Sequence, residues 1–157
     1  MENPVPGTDV LVLVVDDDEA IREMLTHGIH HFGIACIAVD GGPAALEVLA
    51  SSDIDVVVSD INMPGMNGLE LIGRIKARYD CDVMMMTGLV QDYTYEEIVG
   101  KGASDFIQKP VRIPEFIARL KRILAERETR AERNQALTEV QRNLDRVKRA
   151  MDGIVQA

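Results

Sequence analysis

Apolar residues in the first 125 positions follow two alternating patterns. Unbroken apolar runs at 10–15, 34–39, 56–58 and 83–86 read as short strands covered on both faces, the third made of β-branched valines. A weaker run, 105–108, reads as a fifth. Between them the apolar spacing changes to that of a helix. Ile21, Met24, Leu25, Ile29 and Phe32 form one stripe, stopped by Gly33. After the turn at 40–43, Ala44, Ala45, Leu46, Val48 and Leu49 form a second. Leu69, Leu71, Ile72 and Ile75 form a third within 68–79. A weaker helix is predicted from about 91 to 101, and a last one begins near Ile113. Strand and helix alternate five times with short connections. That order predicts an α/β fold: a parallel sheet, right-handed crossovers, and helices on both faces.

Composition narrows the class. Hydrophobic residues make up 46% of the 157, enough for a real core. No apolar run reaches the roughly 18 residues of a membrane span. Residues 1–8 are expected to be a disordered arm; they lack the basic-then-apolar layout of a signal peptide. Cys36 and Cys81 are far apart and lack metal-ligand spacing, so reduced thiols in a cytoplasmic protein are expected. Residues 1–110 hold 19 acidic and 6 basic side chains, which argues against nucleic acid binding by that part. Residues 111–157 hold 7 acidic and 11 basic ones, interleaved, which suits a solvated helix face better than a DNA-binding patch.

The polar residues sit where the strands end. Asp16 and Asp17 follow the first strand, Asp60 closes the third, Thr87 the fourth, and Lys109 follows the fifth. In a parallel sheet these ends share one edge, where open α/β sheets bind ligands. Taken singly, a strand-end Asp is often a helix cap and a strand-end Lys a solvated charge. Together they predict one site with three carboxylates, a hydroxyl and an ammonium, which would recruit a divalent cation. Hard oxygen ligands and an incomplete cage suit Mg²⁺.

Val14-Val-Asp-Asp17, Ser59-Asp60-Ile-Asn-Met-Pro-Gly-Met-Asn-Gly68, Met86-Thr87-Gly88 and Gln108-Lys109-Pro110 carry a family resemblance. In order and spacing they resemble the receiver domain of a two-component response regulator, over residues 9–125. The resemblance implies a flavodoxin-like, doubly wound five-stranded parallel sheet of order 2-1-3-4-5. It implies that Asp60 accepts a phosphoryl group from a sensor histidine kinase or phosphotransfer protein, or from acetyl phosphate. Asp17 and Asp60 would bind Mg²⁺ directly, Asp16 mainly through water, and the backbone carbonyl of Asn62 would complete the protein ligands. Thr87 and Lys109 would contact the phosphoryl oxygens, Gly88 would leave room beside them, and Asn62 and Leu89 would influence the approach of water. Lys109-Pro110 would be a cis peptide. Phe106 is either a core aromatic or, as the resemblance implies, a switch that turns inward as Thr87 moves.

Other polar clusters have plainer readings. Asp18 and Glu19 suit a helix N-terminus, and His27, His30 and His31 suit its far end. Met84, Met85 and Met86 read as core rather than as a redox sensor.

Beyond Pro114 there is no further proline, and no glycine before Gly153, which predicts one helix of roughly 40 residues. Residues 126–157 read as a coiled-coil extension of the last domain helix. Ile113, Ile117, Leu120, Leu124 and Ala131 form one seam, with Arg127 interrupting. Leu137, Val140, Leu144, Val147, Met151 and Ile154 form another, offset by one residue. A 3.5-residue stripe predicts a parallel homodimeric coiled coil; the alternative is a helix folded back on its own domain. Residues 144–157 resemble the helix that leads into HD-GYP cyclic-di-GMP phosphodiesterase domains, whose metal-binding residues are absent here. The expected function is therefore a phosphorylation-dependent switch, not an enzyme, with no membrane or direct nucleic acid partner. Two alternatives stay open. One is a stand-alone adaptor. The other is an Asp-nucleophile phosphatase of the haloacid dehalogenase type, disfavoured because Asn62 stands where that family has its acid/base Asp.

Overall fold

A computed structural model describes residues 9–88 and 93–155. Five strands and five helices alternate: β1 (Leu11–Val15), α1 (Glu19–His31), β2 (Ala35–Val39), α2 (Gly42–Ser51), β3 (Val56–Asp60), α3 (Gly68–Arg78), β4 (Asp82–Thr87), α4 (Tyr95–Gly100), β5 (Asp105–Gln108) and α5 (Ile113–Val155). The strands form one parallel sheet of order β2-β1-β3-β4-β5. This is the flavodoxin-like arrangement implied by the resemblance.

The sheet is covered on both sides, which explains its unbroken apolar runs. All of Val56–Asp60 is buried, as are Val12, Leu13, Val14 and Val15. Leu13, Val15, Val57, Val83 and Met85 belong to a cluster with Ala45 and Leu49 of α2, Leu71, Ile72 and Ile75 of α3, and Ile98 of α4. Side chains alternate across a strand, so Val12, Val14, Val56, Val58, Met84 and Met86 point to the opposite face. There α1 buries Leu25 and Ile29, and α5 buries Phe116, Ile117, Leu120 and Ile123. Gly28 lets α1 and α5 approach closely: a Cβ on it would lie 3.1 Å from Ile113 Cγ2.

Helix ends follow local chemistry. Asp18 caps α1 and Asn67 caps α3, each accepting from a backbone N–H of the first turn. Thr94 and Glu97 form a reciprocal capping box, so α4 begins at Tyr95 rather than near 91. Residues 91 and 92, like the arm expected over 1–8, lie outside the described residues. The third helix stops at Arg78, one residue early, because Tyr79 is already extended at its cap.

The chain divides into two compact units, the first ending at Ile123 and the second starting at Leu124. The described part of the second is the remainder of α5. Its six seam residues from Leu137 to Ile154 are each 49–76% exposed.

Candidate functional site

Parallel register brings four strand ends together. Val15 lies opposite Ser59, Asp60 opposite Met86, and Thr87 opposite Gln108. Asp16, Asp60, Thr87 and Lys109 therefore reach the same edge of the sheet.

The three consecutive acids after β1 have different environments. Asp16 is fully buried. Its N–H donates to the Val39 carbonyl at 3.2 Å, and its Oδ1 accepts from the Asp18 N–H at 2.9 Å. Arg22, on the first turns of α1, reaches back and donates from Nη1 to the Asp16 carbonyl at 2.7 Å. Asp17 is exposed. Asp18 accepts from the Ala20 N–H at 2.9 Å through its Oδ1.

Asp60 is 5% exposed, and its Oδ1 accepts from the Asn62 N–H at 3.2 Å. Asn62 itself is exposed; a Cβ built on Gly88 would lie 3.9 Å from its Nδ2, ordinary contact distance. Gly68 packs so closely beneath that a Cβ there would collide with the Asp60 carbonyl oxygen. Pro64 and Gly65 turn the chain between them, with Gly65 at φ +78°.

Lys109 ties the two buried acids together. Its Nζ donates to Asp60 Oδ2 at 2.9 Å and to Asp16 Oδ2 at 3.0 Å. Its backbone N–H donates to the Thr87 carbonyl at 2.7 Å, and the Lys109-Pro110 peptide is cis. Burial pushes the Asp16 carboxyl above its ordinary pKa, against the opposing influence of the Asp18 N–H and of Lys109. Burial alone would lower the Lys109 pKa. Its bonds to Asp60 and Asp16 outweigh burial and raise it.

One carboxylate oxygen from each of Asp16, Asp17 and Asp60 lies within 4.8 Å of the others. It is the one such group of three or more His, Cys, Asp or Glu residues among the described residues. All three donors are hard oxygens, one end of the cluster is exposed, and few protein ligands are on offer. That set fits Mg²⁺, which retains water, better than a caged Ca²⁺ or a soft metal. The three histidines of α1 take no part in such a group.

Thr87 is half-buried at the end of β4. Phe106 is half-buried too, and its ring packs against Tyr95 with centroids 5.0 Å apart and planes at 60°. Leu89 lies outside the described residues. Two features escaped the sequence reading. One is the reach of Arg22 to the Asp16 carbonyl. The other is a charged clamp on β5: Arg119 Nη1 meets both Asp105 oxygens at 3.0 and 3.1 Å, and Arg122 Nη2 meets Oδ2 at 3.3 Å. Arg119 and Arg122 stand three apart on one helix face, a spacing that marked them as a pair without revealing their partner.

The chain matches the family described as response regulator receiver domain over residues 12–121. It is 38% identical over 116 residues to the DNA-binding transcriptional regulator NtrC of Escherichia coli (strain K12), covering 73% of this chain and 25% of that protein. It is 42% identical over 100 residues to the response regulator protein FleR of Pseudomonas aeruginosa, covering 63% and 21%. The chain thus spans about a quarter or less of the length of these relatives. Among solved structures, the chemotaxis response regulator CheY4 of Vibrio cholerae superimposes with a TM-score of 0.69 at 28% identity, over 74% of this chain and 99% of that one. Fold and sequence agree: the chain belongs to the response regulator receiver domain family.

Proposed function

We propose that this chain is a phosphorylation-controlled switch whose acceptor is Asp60. An Asp60 carboxylate oxygen attacks the phosphorus of a phosphohistidine on a sensor kinase or phosphotransfer protein. The P–N bond breaks, and its electron pair stays on the imidazole nitrogen. With acetyl phosphate the P–O bond breaks instead, and acetate leaves. The chemistry is mostly positioning and charge neutralisation. The observation that carries the reading is Lys109 Nζ at 2.9 Å from Asp60, beside two further carboxylates on the same sheet edge.

Asp17 and Asp60 would hold Mg²⁺ directly, Asp16 through water, with the Asn62 carbonyl as a further ligand. When bound, the ion supplies positive charge against the phosphoryl oxygens. Lys109 would add an ammonium, Thr87 a hydroxyl donor, and Gly88 would leave space. Asn62, with Leu89, influences water's access to the acyl phosphate and so its slow self-hydrolysis. Phe106 acts as the switch with Thr87. To turn inward it must leave the Tyr95 ring against which it packs.

Output passes through the C-terminal helix, whose exposed stripe supports self-association in the cytoplasm, a homodimer being the smallest such assembly. An HD-GYP phosphodiesterase domain beyond residue 157 suits the last turns. The test is Mg²⁺-dependent labelling by radioactive acetyl phosphate. Asp60→Asn should abolish it while the circular dichroism spectrum stays unchanged. Label that persists in a folded Asp60→Asn protein puts the acceptor elsewhere.

A further inference from the structure

The exposed stripe of α5 contains more than a periodicity. Its steps are three, four, three, four and three, which fixes the heptad register. Leu137, Leu144 and Met151 occupy the first apolar position of each heptad, a. Val140, Val147 and Ile154 occupy the second, d. Every a residue is unbranched at Cβ, and every d residue is β-branched. Two-stranded coils favour the reverse, β-branched at a and Leu at d. Leu-type residues at a with β-branched ones at d favour four strands, because knob and hole meet at different angles in the two geometries.

The flanking positions point the same way. In a two-stranded coil the e and g positions border water and usually carry Glu and Lys. In a four-stranded one they are drawn into the contact. Here the g positions are Ala136, Asn143 and Ala150, and the e positions Gln141, Lys148 and Val155. Lys148 is the single charge among these six. Glu139, Arg142, Asp145, Arg146, Arg149 and Asp152 all fall on the outer b, c and f positions. The segment 124–157 holds six acidic and seven basic side chains, so four copies can converge without strong mutual repulsion.

We infer that the tail specifies a parallel four-stranded assembly of this chain, rather than a pair. The parallel direction follows from the segregation of side-chain shapes. Parallel chains stack a with a and d with d, so sorting by shape matters; antiparallel chains mix the two in each layer. The inference rests on the proposed self-association and goes beyond it in copy number. It makes the receivers a cluster of four.

The whole chain in cation-free buffer provides the test, by sedimentation equilibrium over a micromolar concentration series. Four times the chain mass is expected. Exchanging the shapes, with Leu137→Ile, Leu144→Ile and Met151→Ile at a and Val140→Leu, Val147→Leu and Ile154→Leu at d, should halve that mass. Leu144→Asp should give monomers with the receiver still folded by circular dichroism. A wild-type mass of two chains overturns the four-strand inference and leaves self-association standing. A wild-type monomer overturns both. A tetramer that survives the exchange refutes the role given to the seam.

Discussion

The Lys109 clamp can be tested by removing the ammonium alone. Lys109→Met keeps most of the side-chain volume and deletes the bonds at 2.9 and 3.0 Å to Asp60 and Asp16. Those acids are 5% and 0% exposed, so in the absence of a cation they are left facing each other with backbone N–H partners but without the Lys109 counter-charge. Breaking one member of an enclosed ion pair costs about 3–5 kcal/mol. The Lys109 side chain is 21% exposed, and water screens part of the interaction, so a loss of about 1–3 kcal/mol is the working figure. At about 2–4 °C per kcal/mol for a chain of this size, the melting temperature should fall by about 2–12 °C in EDTA. A divalent cation should repair much of this. An ion that binds only the folded state adds about 2.7 kcal/mol at a hundredfold excess over its dissociation constant. The Mg²⁺-induced rise in melting temperature should therefore be larger in Lys109→Met than in the wild type. Thermal unfolding followed by circular dichroism near neutral pH, with EDTA and then with Mg²⁺, measures both quantities. Equal melting temperatures in EDTA, or equal increments with Mg²⁺, would refute the clamp as a substitute for the cation.

Two further substitutions probe the same edge. Asp16 has a pKa raised by burial, so its contribution to stability is present below its ordinary value of 3.8 and lost as pH rises through the raised folded-state value. Without cation, Asp16→Asn should therefore melt above the wild type at neutral pH, the gap closing on acidification. A lower melting temperature at neutral pH would show that the Lys109 bond outweighs the burial cost. Gly68→Ala places a methyl group against the Asp60 carbonyl and should cost about 1–3 kcal/mol in urea unfolding, with weaker Mg²⁺ binding; an unchanged midpoint would mean the loop yields freely.

Much of this molecule could be read from residue order. Unbroken apolar runs such as 56–58 and 83–86 point to strands because both faces of the sheet are covered. The polar residues at their ends announced a common edge because parallel strands put like ends together. Less legible were details that depend on three-dimensional distance. Nothing local distinguishes the buried Asp16 from the exposed Asp17 beside it. The reach of Arg22 needs a turn of helix to exist first, and the Asp105 clamp joins residues 14 and 17 apart. The start of α4 at Tyr95 is set by the Thr94–Glu97 cap, which lies inside the segment predicted as helical.

The acidic turn after β1 looks redundant, as though one carboxylate might stand in for its neighbour. It has no spare. The first is locked inside, the second meets solvent, and the third closes a helix end. Losing one residue from this triplet would still leave three acids in a row, because Glu19 follows, yet would push survivors into places built for others. The segment would keep its acidic character and lose its division of labour, so a count that changes by a single charge would understate the damage.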